Sequence, residues 1–254
     1  MPDKPRDFVT SLARGLSVVK AFDEENREMT LSEVAEKTGM TRAGARRFLL
    51  TLSELGYVVK EGRRFRLTPK VLELGYSFMA SMPISVRSQP FLNGVSDRTG
   101  ESCSLAVLDI PDIVYIARSP ARRLLSFGIH IGTHLPAYCS SMGRVLLAAL
   151  SSDSFAHYLE GVDLIPRTSH TITDKGVFAG EIRLCRERGY GILDQEMEEG
   201  LRSLAVPVQD GNGVTIAAIN ISTNVATVSL ERLTGEFLPI LQQAARNIQD
   251  TLHS

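Results

Sequence analysis

The stretch TRAGARRFLLTL, residues 41–52, places Arg42, Arg46 and Arg47 within the first seven positions of a predicted helix. Thr41 can cap it, and Ala45, Phe48, Leu49, Leu52 and Leu55 recur at i, i+3, i+4, i+7 and i+10, which puts them on one apolar face. Gly56 stops it. The three arginines flank or oppose that face near its N-terminal end. Immediately before it, LSEVAEKTG (31–39) carries Leu31, Val34 and Ala35 as an apolar stripe, with Thr30 as its cap and Gly39 as its end. Only Gly39–Met40 separates the two helices, which is helix-turn-helix spacing. A preceding helix is expected from Ser11 to Phe22, with Ser11 as cap and Leu12, Leu16, Val19 and Phe22 on one face.

After the arginine helix, YVVKEGRRFRLT (57–68) reads as strand, turn at Gly62, and strand. Phe65 and Leu67 would face inward, Arg64 and Arg66 outward. A basic hairpin directly after such a helix has the form of a wing.

The charge distribution follows this division. The whole chain has a formal net charge of −1, yet residues 1–70 hold 14 Lys+Arg against 10 Asp+Glu, and residues 37–70 hold nine basic side chains against two acidic ones. A local positive field of that density suits a polyanion. In a helix-turn-helix the N-terminal residues of the second helix lead into the major groove, and arginine's planar fork matches both phosphate and guanine edges. The DNA-contacting candidates are therefore Thr41, Arg42, Arg46 and Arg47 on the helix and Arg63 and Arg64 in the hairpin. The plainer alternative is a small three-helix domain with a solvated basic face.

The totals are those of a globular chain, 43% hydrophobic and 22% charged over 254 residues, enough for two modest domains. Three dispersed cysteines, Cys103, Cys139 and Cys185, with no CxxC spacing suit neither a disulfide framework nor a zinc site, and fit a reducing cytoplasm. The first ten residues lack a secretory pattern, and no apolar run is long enough to span a bilayer.

Beyond the hairpin, PKVLELGYSFMASM (69–82) reads as an apolar linker helix ended by Pro83, with Leu72, Leu74 and Phe78 as a dimer contact. From there the pattern becomes mixed. A helix is expected over 84–100, strands at SCSLAVLDI and DIVYIARS with a turn at Pro111–Asp112, and a third strand at RLLSFGIHIG (123–132). Helices follow at SSMGRVLLAAL, capped by Ser140 or Ser141, at DSFAHYLEG and at DKGVFAGEIRLCRERG. Three strands, GILDQEM, RSLAVPVQD and VTIAAINIST, precede a final helix over 229–253. The whole is α+β: a winged helix-turn-helix (1–70), a linker helix (71–82) and a domain of about six antiparallel strands with flanking helices (83–254).

Catalytic signatures are lacking: the chain has no GxSxG, HExxH, GxGxxG or Walker loop. His130 and His134 are four apart, but Gly132 breaks any shared helical face, so no metal site is expected. Cys139, at a helix start, reads as a small buried residue rather than a nucleophile. The acidic run DQEMEEG (194–200) reads as a hydrogen-bonding loop. More distinctive is GTHLPAYCSSMGRVLLAAL (132–150): a helix start offers free N–H groups to a small carboxylate, and small residues there allow close approach.

Taken together, SLARGLSVVKAF, LSEVAEKTGMTRAGARRFLLTLSELGYV, FRLTPKVLELG, PAYCSSMGRVLLA and LDQEMEEGLRSLAVPV with AAINIST resemble the IclR family of transcriptional regulators along nearly the whole chain. The wording is closest to the subgroup that senses protocatechuate or 4-hydroxybenzoate and governs aromatic-acid catabolism. The resemblance implies a homodimer or dimer of dimers binding double-stranded operator DNA, a GAF-like effector domain holding a small aromatic carboxylate, no cofactor, and RNA polymerase as a further partner if the regulator activates. It carries the family's pocket onto the helix-start pair Ser141 and Met142, onto Asp194, onto Ser203 where the family has cysteine, and onto Asn220 and Ser222. Ser140 would add a donor, and Arg118, Arg122 or Arg123 a charge. Leu135, Tyr138 and Met142 would wall the ring. The alternatives are an IclR-type regulator sensing a different small organic acid, an enzyme fused to a DNA-binding module, and a winged helix that binds protein.

Overall fold

In a computed structural model, which describes residues 7–121 and 128–252, the chain divides into two units, Met1–Ser81 and Met82–Ser254. The first holds α1 (Thr10–Lys20), β1 (Glu28–Thr30), α2 (Leu31–Lys37), α3 (Arg42–Glu54), β2 (Val58–Glu61), β3 (Arg64–Leu67) and α4 (Leu72–Ser81). Thr30 caps α2 in a reciprocal box: its hydroxyl accepts from the Glu33 amide while the Glu33 carboxylate accepts from the Thr30 amide. Thr41 caps α3 by accepting from the Gly44 amide, and Gly39 and Gly56, both at positive φ, end α2 and α3. Val18, Val34, Ala45, Leu49, Val58 and Phe65 close the core beneath α3.

Two local expectations change here. α1 starts at Thr10, with Val9 and not Ser11 in the capping position, and no side chain bonds the freed amides. The hairpin gains a third strand, β1, so the sheet order is β1-β3-β2. Three residues are too few to display a period of two, which hid β1 in the sequence.

The second unit holds α5 (Ile84–Arg87), α6 (Gln89–Thr99), β4 (Ser102–Asp109), β5 (Asp112–Ser119), β6 (His134–Pro136), α7 (Ser141–Ala148), α8 (Ser152–Gly161), α9 (Lys175–Arg188), β7 (Gly191–Asp194), β8 (Leu201–Gln209), β9 (Thr215–Asn224), α10 (Leu230–Arg232) and α11 (Leu238–Leu252). Its six strands form one antiparallel sheet, β6-β5-β4-β9-β8-β7. The helix expected over 84–100 breaks at Ser88, since Pro90 has no N–H to donate to the preceding turn. The strand expected at 123–132 lies partly outside the described residues. Residues 128–133 turn through Gly132 at φ +86°, and the strand comes only at His134. The last helix passes through a π turn at Leu233–Phe237, where Pro239 lacks the N–H that would donate to the Gly235 carbonyl.

Side-chain alternation across this sheet sets the site. Leu204, Val206, Ile219 and Ile221 join Leu92, Phe237 and Leu241 under α6 and α11. Ala205 and Ala218 join Met142, Leu147 and Phe178 under α7 and α9 on the other face. Neighbouring positions on that second face carry polar groups instead.

Candidate DNA interface and ligand cavity

The arginine helix reaches solvent with its charge uncompensated. Arg42, Arg46 and Arg47 are exposed, α3 has no acidic residue in its first turn, and no described residue pairs any of the three. The other basic residues of 37–70 are mostly engaged. Lys37 pairs with Asp23. Arg66 pairs with Glu61 at 2.6 Å, and Arg64 donates to the Glu28 carbonyl at 3.0 Å, tying the wing to β1. Lys60 lies over the Phe65 ring, while Lys70 lies over Tyr57 and donates to the Leu55 carbonyl. Exposed Arg63 at the wing turn, like the three helix arginines, has no partner among the described residues. Four cations without partners among the described residues, on the leading end of α3 and the tip of the wing, have the chemistry that a phosphate backbone beside a major groove requires. Thr41 stands at the same end, with its hydroxyl committed to the cap.

The second unit encloses a cavity of about 610 Å³. Its floor comes from the sheet's polar face. Strand register sets Ser102 opposite Ser222, which faces Ser203, and sets Ser104 opposite Asn220 and Arg118. All six line the cavity. Cys139, Ser140 and Ser141, at the start of α7, form another part of the wall. Ile129, Leu135, Leu193 and Met197 provide apolar surface, and Glu101, Glu198 and Glu199 add acidic groups. α7 can lie so close because two glycines permit it: a Cβ at Gly143 would fall 2.0 Å from the Ala137 carbonyl oxygen, and one at Gly191 would fall 2.7 Å from that of Ser141.

Hydrogen bonding on this wall is incomplete. Ser140 Oγ accepts from the Gly143 amide at 2.9 Å. Ser141 Oγ, in a residue only 1% exposed, has no partner among the described residues, and neither has Asn220 Oδ1, although the Asn220 amide nitrogen donates to Ser222 at 3.2 Å. Buried polar atoms left open are costly unless something else satisfies them. Burial lowers the pKa of the Arg118 guanidinium and pushes the Tyr115 phenol up to about 12. The cavity thus offers a cation, open hydroxyl and amide groups and apolar walls, a set suited to a small acid with a ring.

Of the sequence-predicted ligand residues, the fold brings Ser140, Ser141, Ser203, Asn220 and Ser222 together, with Leu135. It does not bring Tyr138, Met142 or Asp194 to the wall. Tyr138 donates its hydroxyl to the Ile165 carbonyl, Met142 is fully buried in the core under α7, and Asp194 is held by Arg202 in a two-pronged pair at 2.9 Å. Arg122 and Arg123 lie outside the described residues. Glu101, Ser102, Ser104, Tyr115 and Met197 were missed. For the β4 serines the signal was present, because Ser102 and Ser104 alternate with the apolar Cys103 and Leu105. Cys139 is buried and donates to the Glu196 carbonyl, and burial pushes its thiol up to about 11. Among the described residues no group of three or more His, Cys, Asp or Glu is arranged to hold a metal ion, and no helix is long and apolar enough to cross a membrane.

A winged helix-turn-helix joined to a unit with a ligand-sized cavity defines a DNA-binding transcription regulator. The models for the IclR helix-turn-helix domain and for the bacterial transcriptional regulator IclR C-terminal domain match residues 11–62 and 76–250. The chain belongs to the IclR family, whose members here are regulators and not enzymes. It is 45% identical over 243 residues to the Pca regulon regulatory protein of Pseudomonas putida, covering 95% of this chain and 84% of that one. A solved regulator structure from Rhodococcus sp. RHA1 superposes with a TM-score of 0.86 at 49% identity, over 97% and 99% of the two chains. A double mutant of the PobR inducer-binding domain from Acinetobacter, complexed with 3-hydroxybenzoic acid, superposes at 0.61 with 33% identity, over 64% of this chain and 95% of that one.

Proposed function

We propose that the chain governs genes of aromatic-acid breakdown, in the β-ketoadipate/protocatechuate pathway, in answer to a monocyclic hydroxybenzoate held in the 610 Å³ cavity. The observation that carries this reading is the polar floor of Ser102, Ser104, Ser203, Asn220 and Ser222 in a cavity otherwise partly apolar, with the buried Ser141 Oγ and Asn220 Oδ1 of two lining residues left without partners among the described residues. A ring hydroxyl both donates and accepts, so it satisfies either end of the Asn220 amide, whereas a ring C–H satisfies neither. The carboxylate would take the Ser141 hydroxyl, the α7 start and the Arg118 charge, while Ile129, Leu135 and Met197 flank the ring. Likeness to a Pca regulator and to a PobR domain that binds 3-hydroxybenzoic acid supports the ligand class.

DNA binding uses Arg42, Arg46, Arg47 and Arg63, with the domains divided as 1–70, 71–82 and 83–254. One such helix reads too few base pairs to find a genomic site, so two copies are needed on a two-fold operator. The linker helix supports that pairing: Leu72, Leu74, Tyr76 and Phe78 are 73%, 52%, 72% and 49% exposed in the single chain. Such a regulator works in the cytoplasm, where RNA polymerase is its further partner if it activates.

Thermal denaturation with protocatechuate, 4-hydroxybenzoate, benzoate, glyoxylate and pyruvate in parallel tests the ligand class. A true effector at about 100 times its Kd stabilises the fold by roughly 2.7 kcal/mol. A rise with the hydroxylated aromatics is expected. A rise with only glyoxylate or pyruvate would refute the aromatic assignment.

A further inference from the structure

Arg144 stands three residues beyond Ser141 on α7, in a helix otherwise built from small and apolar residues, and is 2% exposed. Its Nη2 donates to both carboxylate oxygens of Glu196, at 2.6 and 2.7 Å. Its Nη1 donates to the Ile192 carbonyl of β7 and lies 3.6 Å from Glu181 of α9, which in turn pairs with Arg188. Glu196 is also buried. Its carboxylate accepts from the Ile172 amide, and its carbonyl accepts from the Cys139 thiol and the Thr171 hydroxyl.

Glu196 sits in the short segment 195–200, which supplies Met197, Glu198, Glu199 and Gly200 to the cavity wall. That segment is tightly bent. Gln195 holds φ at +61°, a region non-glycine residues seldom occupy, and its amide donates to the Leu201 carbonyl at 2.7 Å. Two parts of one wall, the α7 start and the acidic segment, are thereby joined behind the cavity by this ion pair and by the Cys139 thiol's bond to the Glu196 carbonyl.

We propose that the Arg144–Glu196 pair is the positioning element of the cavity: it clamps segment 195–200 to α7 and so sets which acids fit. The pair touches no ligand itself and acts through Met197, Glu198 and Ser141. The inference rests on reading the cavity as the effector site.

The test uses the full chain carrying Glu196→Gln, which keeps the volume and removes the charge, and Arg144→Lys, which keeps the charge and loses the fork. Hydrogen exchange of the ligand-free protein is measured first, then calorimetric Kd values for 4-hydroxybenzoate and benzoate. In both variants the hydrogen-bonded Gln195, Gly200 and Leu201 amides should exchange about tenfold faster while those of β9 do not, and the preference for 4-hydroxybenzoate over benzoate should fall by about tenfold, more for Glu196→Gln than for Arg144→Lys. A purely structural role would lower the melting temperature without changing that preference. An unchanged preference in the folded variants overturns the inference; Arg144→Lys decides alone if Glu196→Gln does not fold. If the unaltered chain binds neither acid, the effector reading fails, and the exchange rates of the Gln195, Gly200 and Leu201 amides alone decide whether the clamp exists.

Discussion

Gly143 lies against the backbone of Ala137: a Cβ on Gly143 would stand 2.0 Å from the Ala137 carbonyl oxygen and 2.5 Å from its Cα. Backbone cannot yield as a flexible side chain can, so Gly143→Ala must push α7 away from the segment before it. Forced overpacking costs about 1–3 kcal/mol, at times more. The substitution should lower the denaturant midpoint of the second unit and weaken ligand binding, since Ser140 and Ser141 move with the helix. An unaltered midpoint would contradict this packing.

At the DNA interface the arginines should separate by role. Loss of a base-reading arginine costs about 1–3 kcal/mol and relaxes specificity, whereas loss of a phosphate contact weakens all sequences alike and reduces the salt slope by about 1. Arg46→Ala with Arg47→Ala should do the first, and Arg63→Ala the second. Arg66→Ala should do far less, because Arg66 is held by Glu61. Anisotropy titrations on operator DNA at several salt concentrations distinguish these outcomes.

Ser141→Ala should separate binding from stability. Its hydroxyl has no partner among the described residues, so the ligand-free melting temperature should hold or rise. Affinity for a hydroxybenzoate should fall by about 0.5–1.5 kcal/mol, one hydrogen bond's net worth, or more if that bond is charge-assisted. Calorimetry together with a melting curve checks both halves. A lower melting temperature with undiminished affinity would show the hydroxyl to be structural.

The buried thiols give a pH signature. Burial raises Cys139 and Cys185 from 9.0 to about 11 and raises Cys103 as well. The unfolded chain therefore loses these protons first as pH increases. The stability the neutral thiols contribute is fully present below pH 9 and is lost as pH rises toward 11. Denaturant unfolding from pH 8 to 11 should show this decline, and a Cys139→Ala, Cys185→Ala variant should show less of it. Native thiols should also resist alkylation at pH 8.

Light scattering of the full chain at micromolar concentration should give twice the mass of one chain or a multiple of that. Leu72→Glu with Phe78→Glu, on the exposed face of α4, should shift the population toward single chains and weaken operator binding. A monomer in the unaltered protein would contradict the two-fold reading.

What the sequence made legible was local. The caps at Thr30, Thr41 and Ser140, the apolar face through Ala45, Leu49 and Leu52, and the alternation of β8 and β9 all lie within a few residues of their causes. That suffices for a winged helix-turn-helix and for five of the six strands of the larger sheet. The three-residue strands β1 and β6 escaped because neither displays a period. The cavity wall was half legible. Ser203, Asn220 and Ser222 were carried onto the chain by the family resemblance, whereas Glu101, Tyr115 and Met197 arrive from elements far apart in the chain. Asp194 came from the same resemblance, and nothing local showed that Arg202, across the β7–β8 register, would pair with it. Arg144 carried a signal of its own: an arginine inside an apolar helix needs a buried partner. That partner, Glu196, is 52 residues away.

The account stands most directly on where an aromatic acid binds. A crystal structure of the full chain grown with saturating 4-hydroxybenzoate should show one molecule per chain in the cavity floored by Ser104, Ser203 and Asn220. Its hydroxyl should lie within hydrogen-bond distance of the Asn220 amide, and its carboxylate should lie toward Ser141 and Arg118. An empty cavity at saturation, or the acid bound elsewhere on the chain, would contradict it.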